Sequence, residues 1–95
     1  MRERTVEQHL VSGLEEIGIP CVKFQPDHMR GMPDRIILLP DRRVIWCELK
    51  TESGSLSEIQ MVRHRELRRA GQWVEVVWSI PEADRLIDDI KSAYR

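Results

Sequence analysis

Two apolar stretches joined by a tight turn constrain this chain more than any other feature. Ile36-Ile37-Leu38-Leu39 is followed by Pro40-Asp41-Arg42-Arg43 and then by Val44-Ile45-Trp46-Cys47-Glu48-Leu49. Turn formers flanked by β-branched, aliphatic and aromatic residues are the signal of a β-hairpin. The spacing predicts strands over residues 34–39 and 44–49. Both are apolar on both faces over much of their length. The sheet that holds them must therefore be covered on both sides, at least centrally.

The remaining elements fall around this hairpin. Val6, Leu10, Leu14 and Ile17 recur at helical spacing, predicting a helix over residues 4–17 that Gly18 and Pro20 stop. Residues 21–24 read as a short strand ending in the turn signal Gln25-Pro26-Asp27. Ser55-Leu56-Ser57-Glu58 matches a capping box, so a helix starts there and runs to about Ala70, with Gly71 beyond its end. Residues 73–78 form another strand. Pro81 opens a last helix striped by Ala83, Leu86, Ile87 and Ile90. The order α-β-β-β-α-β-α predicts an α/β fold, a mixed β-sheet flanked by helices. Its third and fourth strands should be joined by a right-handed parallel crossover.

The chain has 95 residues, which predicts a single domain over 1–95 with a thin core that a second subunit could extend. Hydrophobic residues make up 41% and charged residues 33%, an ordinary globular composition. No apolar run approaches the ~20 residues that span a bilayer, and no signal-peptide core follows Met1. The expectation is an intracellular, cytoplasmic protein without a membrane partner. Cys21 and Cys47 lie in apolar strands without zinc-type spacing and read as reduced core thiols, so no zinc is expected.

Net charge is −1, but its distribution is uneven. Arg63, His64, Arg65, Arg68 and Arg69 share one helix-length stretch, while Glu82, Asp84, Asp88 and Asp89 gather near the C-terminus. A basic helix of this kind can contact phosphates, or form a solvated face.

Chemistry gathers at one end of the hairpin. Counting outward from the turn, Asp34 lands opposite Glu48 or Leu49. Strand alternation places Glu48 and Lys50 on one face. Two carboxylates and an ammonium thus converge at the mouth of the sheet. Adjacent carboxylates repel unless a cation or proton lies between them. Hard oxygen ligands suit Mg²⁺ or Mn²⁺, and the backbone carbonyl of Leu49 could add another. A metal there can activate water and polarise a phosphoryl oxygen, with Lys50 holding water or shielding charge.

Pro33-Asp34 with Glu48-Leu49-Lys50 resembles the core of the PD-(D/E)XK nuclease superfamily. Together with Glu7, Gly31-Met32-Pro33-Asp34 and Ser57-Glu58-x-Gln60, it is similar more narrowly to the virus-type replication-repair nuclease family, VRR-NUC. That resemblance implies Mg²⁺- or Mn²⁺-dependent DNA cleavage. Asp34 and Glu48 would be metal ligands, Lys50 the catalytic lysine, and Glu7 and Gln60 supporting catalytic residues. Stand-alone members resemble Holliday-junction resolvases acting as homodimers. Branched or junction DNA and a homodimer are therefore the implied partners.

The flanking residues admit two readings each. Glu7 borders the buried stripe of its helix and needs a partner, either a metal-bound water, Lys50 or an ordinary salt bridge. Gln60 could bind a metal water or a phosphate, or lie on the helix surface. Gly31 could let backbone approach a phosphate, or serve a turn. His28 and Arg30 just before it, with Arg63 and His64 on the basic helix, are candidate DNA contacts. His9 and His64 have no expected catalytic role. Trp46, Trp73 and Trp78 are expected to fill the core or an interface. A nuclease-fold module that binds nucleic acid without cutting it is the competing reading. Two carboxylates that repel DNA weigh against it.

Overall fold

The computed structural model describes residues 1–94. Its elements run α1 (Glu3–Glu16), β1 (Cys21–Lys23), β2 (Arg35–Leu38), β3 (Val44–Leu49), α2 (Glu58–Arg69), β4 (Trp73–Val77) and α3 (Ile80–Ala93). The order is the α-β-β-β-α-β-α of the sequence reading. The four strands form one sheet in the order β1-β2-β3-β4. β1 and β3 flank β2 antiparallel, and β4 lies parallel to β3 with α2 as the crossover.

Register decides what each face carries. Arg35 pairs with Cys47 and Ile37 with Ile45, and across the parallel pair Leu49 meets Val77. Alternation therefore sends Ile37, Ile45, Cys47, Leu49 and Val77 to one face. There they pack on Val6, Leu10 and Leu14 of α1 and on Ala83, Leu86 and Ile90 of α3. These side chains form the core, and several are fully buried. Burying one such aliphatic side chain is worth ~1.5–3 kcal/mol.

The opposite face carries Val22, Ile36, Leu38, Trp46 and Val74, followed along β3 by Glu48 and Lys50. α2 covers its β4 side and the Glu48 end of β3. Val22 stays 41% and Leu38 40% exposed over the β1–β2 half. The coverage expected from the apolar strands is complete on the α1–α3 face and partial on this one.

Two helix starts differ from expectation. The capping box lies two residues later, with Ser57 as the cap. The Ser57 hydroxyl accepts the Gln60 amide, and the Gln60 side chain accepts the Ser57 amide. α3 starts one residue before Pro81, with the Ser79 hydroxyl accepting the Glu82 amide. Leu56 is half-buried, and the earlier serine, Ser55, makes no such pair. Among the described residues, no helix is long and apolar enough to cross a membrane.

Candidate active site

β2 begins at Arg35, so Asp34 stands just before the ladder, in line with Glu48 by the register of the strands. Its carbonyl accepts the Phe24 amide at 2.8 Å, and its Oδ2 accepts the Leu49 amide at 3.0 Å. The carboxylate thus takes the place of the missing strand partner. The Lys50 amide donates to the Val77 carbonyl on the other side of β3. Alternation along the strand then turns the Leu49 carbonyl toward the Asp34 side.

Glu48 is 1% exposed. Burial pushes its carboxyl up to about 9, and a hydrogen bond with Asp34 and that residue's charge push in the same direction, while Lys50 pulls it down. The two carboxyls face one another, one of the two pairings that the turn allowed, and Lys50 lies within electrostatic reach. Glu3, at the start of α1, adds negative charge to the same field.

The loop carrying Asp34 is clamped to α2. Gly31 has φ +82, and a Cβ there would meet the Ile59 carbonyl oxygen at 2.7 Å. Glycine is thus needed twice, for its backbone conformation and for the approach of the loop to α2. The Arg63 guanidinium donates to the Arg30 carbonyl at 2.9 Å and to Glu66 at 2.8 Å. Pro33 is fully buried behind the loop.

Most of the other candidates make contacts within the protein. The Glu7 carboxylate accepts Arg35 Nε at 2.9 Å, the ordinary ion pair that was one of its readings. Arg35 also donates to the Cys21 carbonyl, which fixes the residue next to Asp34. Gln60 spends its side-chain oxygen on the cap of α2. Gly31 abuts α2 backbone at Ile59. His64, taken as a DNA contact or a residue without a role at the site, is buried at 1% exposure with Nε2 3.2 Å from Glu48 Oε1. Burial, and then Arg68 beside it, hold its imidazole below the usual range. Arg30 is exposed, and Arg63 is occupied by its two acceptors. The three tryptophans are half-buried, with Trp46 edge-on to Phe24 at 5.5 Å between ring centres.

Sequence reasoning missed Arg35 and His64 as partners of acidic candidates. The signal for Arg35 was its place directly after Asp34. For His64 it was the i+4 spacing from Gln60, which puts both on one face of α2.

The donor set can be tested against a metal. Among the described residues, no three His, Cys, Asp or Glu side chains gather into a metal-binding group. A Mg²⁺-type ion needs less, since one or two carboxylates with waters and phosphate oxygens suffice. Asp34 and Glu48 are hard oxygen donors, and burial, with Asp34 opposite, raises the Glu48 carboxyl. They fit such an ion, and the Leu49 carbonyl stands on the same side.

No family model matches the chain. A curated phage protein, "Putative nuclease p44" of Acyrthosiphon pisum secondary endosymbiont phage 1, is 35% identical over 77 residues, covering 81% of this chain and 83% of that protein. A solved structure described as a VRR_NUC domain superposes with a TM-score of 0.83 at 28% identity, covering 90% of this chain and 94% of that one.

Proposed function

The chain belongs to the VRR-NUC nuclease family, and from that premise we propose that it is a deoxyribonuclease that hydrolyses phosphodiester bonds with Mg²⁺ or Mn²⁺ held by Asp34 and Glu48. The observation that carries this reading is the raised Glu48 carboxyl facing Asp34 with Lys50 beside it. Such a pair is unfavourable on its own and favourable around a cation. A divalent ion there would lower the pKa of a water and polarise a phosphoryl oxygen. Asp34 and Glu48 would hold that ion, and the Leu49 carbonyl would offer one more oxygen. The Lys50 ammonium orients the attacking water and offsets charge that builds on the phosphate.

DNA would approach over α2 and the loop before Asp34. Arg65, Arg68 and Arg69 line a groove there with Leu56 and Met61, and Arg30 is exposed on the loop. The acidic residues of α3 discourage approach elsewhere. Such contacts position a phosphate backbone and carry no base code. Recognition is therefore of DNA shape, with branched or four-way-junction DNA as the preferred substrate. Paired cuts at a junction need two sites related by two-fold symmetry. The exposed Val22 and Leu38 support a homodimer, because a second copy could cover them. The cytoplasm is the compartment in which this activity would meet its substrate.

The test is cleavage of labelled duplex, flap and four-way-junction DNA in Mg²⁺, Mn²⁺ and EDTA, alongside sedimentation of the protein. Metal-dependent cutting that favours the junction, by a dimer, is expected. Tight DNA binding with no cutting in either metal would replace this reading with that of a binding module.

A further inference from the structure

α2 is a polar helix. Among the described residues only one of its twelve is buried, and that residue is His64. A helix of a small domain ordinarily buries aliphatic side chains. Here the inward position holds an imidazole, 1% exposed, against a carboxyl that is itself 1% exposed. Its Nε2 lies 3.2 Å from Glu48 Oε1, and its Nδ1 is buried without a hydrogen-bond partner among the described residues.

The unmatched nitrogen decides the tautomer. A proton on Nδ1 would bury a donor with nothing to receive it, which is costly. A proton on Nε2 meets the Glu48 oxygen and leaves only a lone pair unfilled at Nδ1. We propose that His64, as the Nε2–H tautomer, is a positioning residue that anchors Glu48 Oε1 and leaves the other carboxyl oxygen to Asp34 and the cation. The functional half of this proposal rests on the nuclease reading of Asp34 and Glu48. α2 then organises both carboxylates, Glu48 through His64 and Asp34 through the loop packed on Ile59 and tied to Arg63.

Two measurements test it. Long-range ¹H–¹⁵N NMR of histidine-labelled protein in EDTA reads the tautomer. A protonated Nε2 with a bare Nδ1 is expected, and the reverse would overturn the proposal. Calorimetric Mn²⁺ binding then compares the native protein with His64→Gln, His64→Asn and His64→Leu, each checked for folding by thermal melting. The Gln amide nitrogen reaches the position of Nε2, whereas the Asn amide reaches only that of Nδ1. His64→Gln should bind Mn²⁺ within about 3-fold of the native protein, and His64→Asn and His64→Leu should bind ~10–100-fold more weakly. His64→Asn serves alone if His64→Leu does not fold. Native protein that cuts DNA, with a folded His64→Asn or His64→Leu that binds Mn²⁺ equally well, would overturn the proposal alone. Native protein that neither binds Mn²⁺ nor cuts would overturn the nuclease reading and the proposal's functional half together.

Discussion

Asp34 Oδ2 accepts the Leu49 amide at 3.0 Å, at the point where β2 has not yet begun and β3 is about to end. The same carboxylate completes the backbone bonding of β3 and faces Glu48. Its structural and chemical roles separate by substitution. Asp34→Asn keeps an oxygen for the Leu49 amide, so thermal stability should change by less than ~1 kcal/mol. Cleavage should fall at least ~100-fold, more than for a residue behind a metal ligand. Asp34→Ala should lose the same activity and a further ~1–3 kcal/mol of stability. Melting curves and initial cleavage rates on both variants check this.

Glu48 makes stability depend on pH in an unusual direction. Its carboxyl is pushed to about 9 in the folded chain, from 4.5 for an ordinary glutamic acid. Between these values the folded state holds a proton that the unfolded state has lost. In EDTA, the stability of the protein should therefore fall as pH rises from about 4.5 to 9, by up to ~1.4 kcal/mol per pH unit. The contribution is fully present below the lower value. Glu48→Gln should flatten the slope, and saturating Mn²⁺ should reverse it by favouring the ionised form. Melting at pH 5, 7 and 9 measures all three; an unchanged slope in Glu48→Gln would assign it to other groups.

Gly31 and Gly71 share a positive φ but not their surroundings. A Cβ at Gly31 would strike the Ile59 carbonyl, whereas at Gly71 it would meet nothing within 4 Å. Gly71→Ala should cost ~1 kcal/mol and leave activity intact. Gly31→Ala should cost ~2–3 kcal/mol and also lower cleavage, because it moves the loop that carries Asp34. Equal activity in the two variants would show that the loop does not position the carboxylate.

The fold was legible because its signals are local. Hydrophobic periodicity and turn residues located the hairpin to within a residue, and counting outward from Asp41 and Arg42 brought Asp34 to Glu48 or Leu49, between which the register of the strands selects Glu48. What the sequence hides is which polar residue meets which across elements. Glu7 and Arg35 lie 28 positions apart, and no spacing rule pairs them. His64 sits in a run of arginines and reads as part of a basic face, yet helical periodicity turns it inward while its neighbours Arg65 and Arg69 stay exposed. The capping box could be written in either of two overlapping registers, and the reciprocal bonds between Ser57 and Gln60 show which one forms.

The Glu7–Arg35 pair acts one step from the chemistry. Both side chains are mostly buried, at 20% and 17% exposed, so the pair is shielded from solvent more than a surface bridge. Glu7→Gln should destabilise the protein by ~1–3 kcal/mol and lower cleavage less than Asp34→Asn does. A double-mutant cycle with Arg35→Met should show coupling of ~1 kcal/mol or more in melting. Additive effects would mean that the ion pair contributes nothing of its own.

The central claim is that Asp34, Glu48 and Lys50 form one hydrolytic site. Plasmid nicking by native protein, Lys50→Ala and Lys50→Arg in Mg²⁺, with EDTA as control and melting curves to confirm folding, tests it most directly. The prediction is nicking that EDTA abolishes, at least ~100-fold slower in Lys50→Ala and partly retained in Lys50→Arg. Nicking by a folded Lys50→Ala at the native rate would contradict the claim.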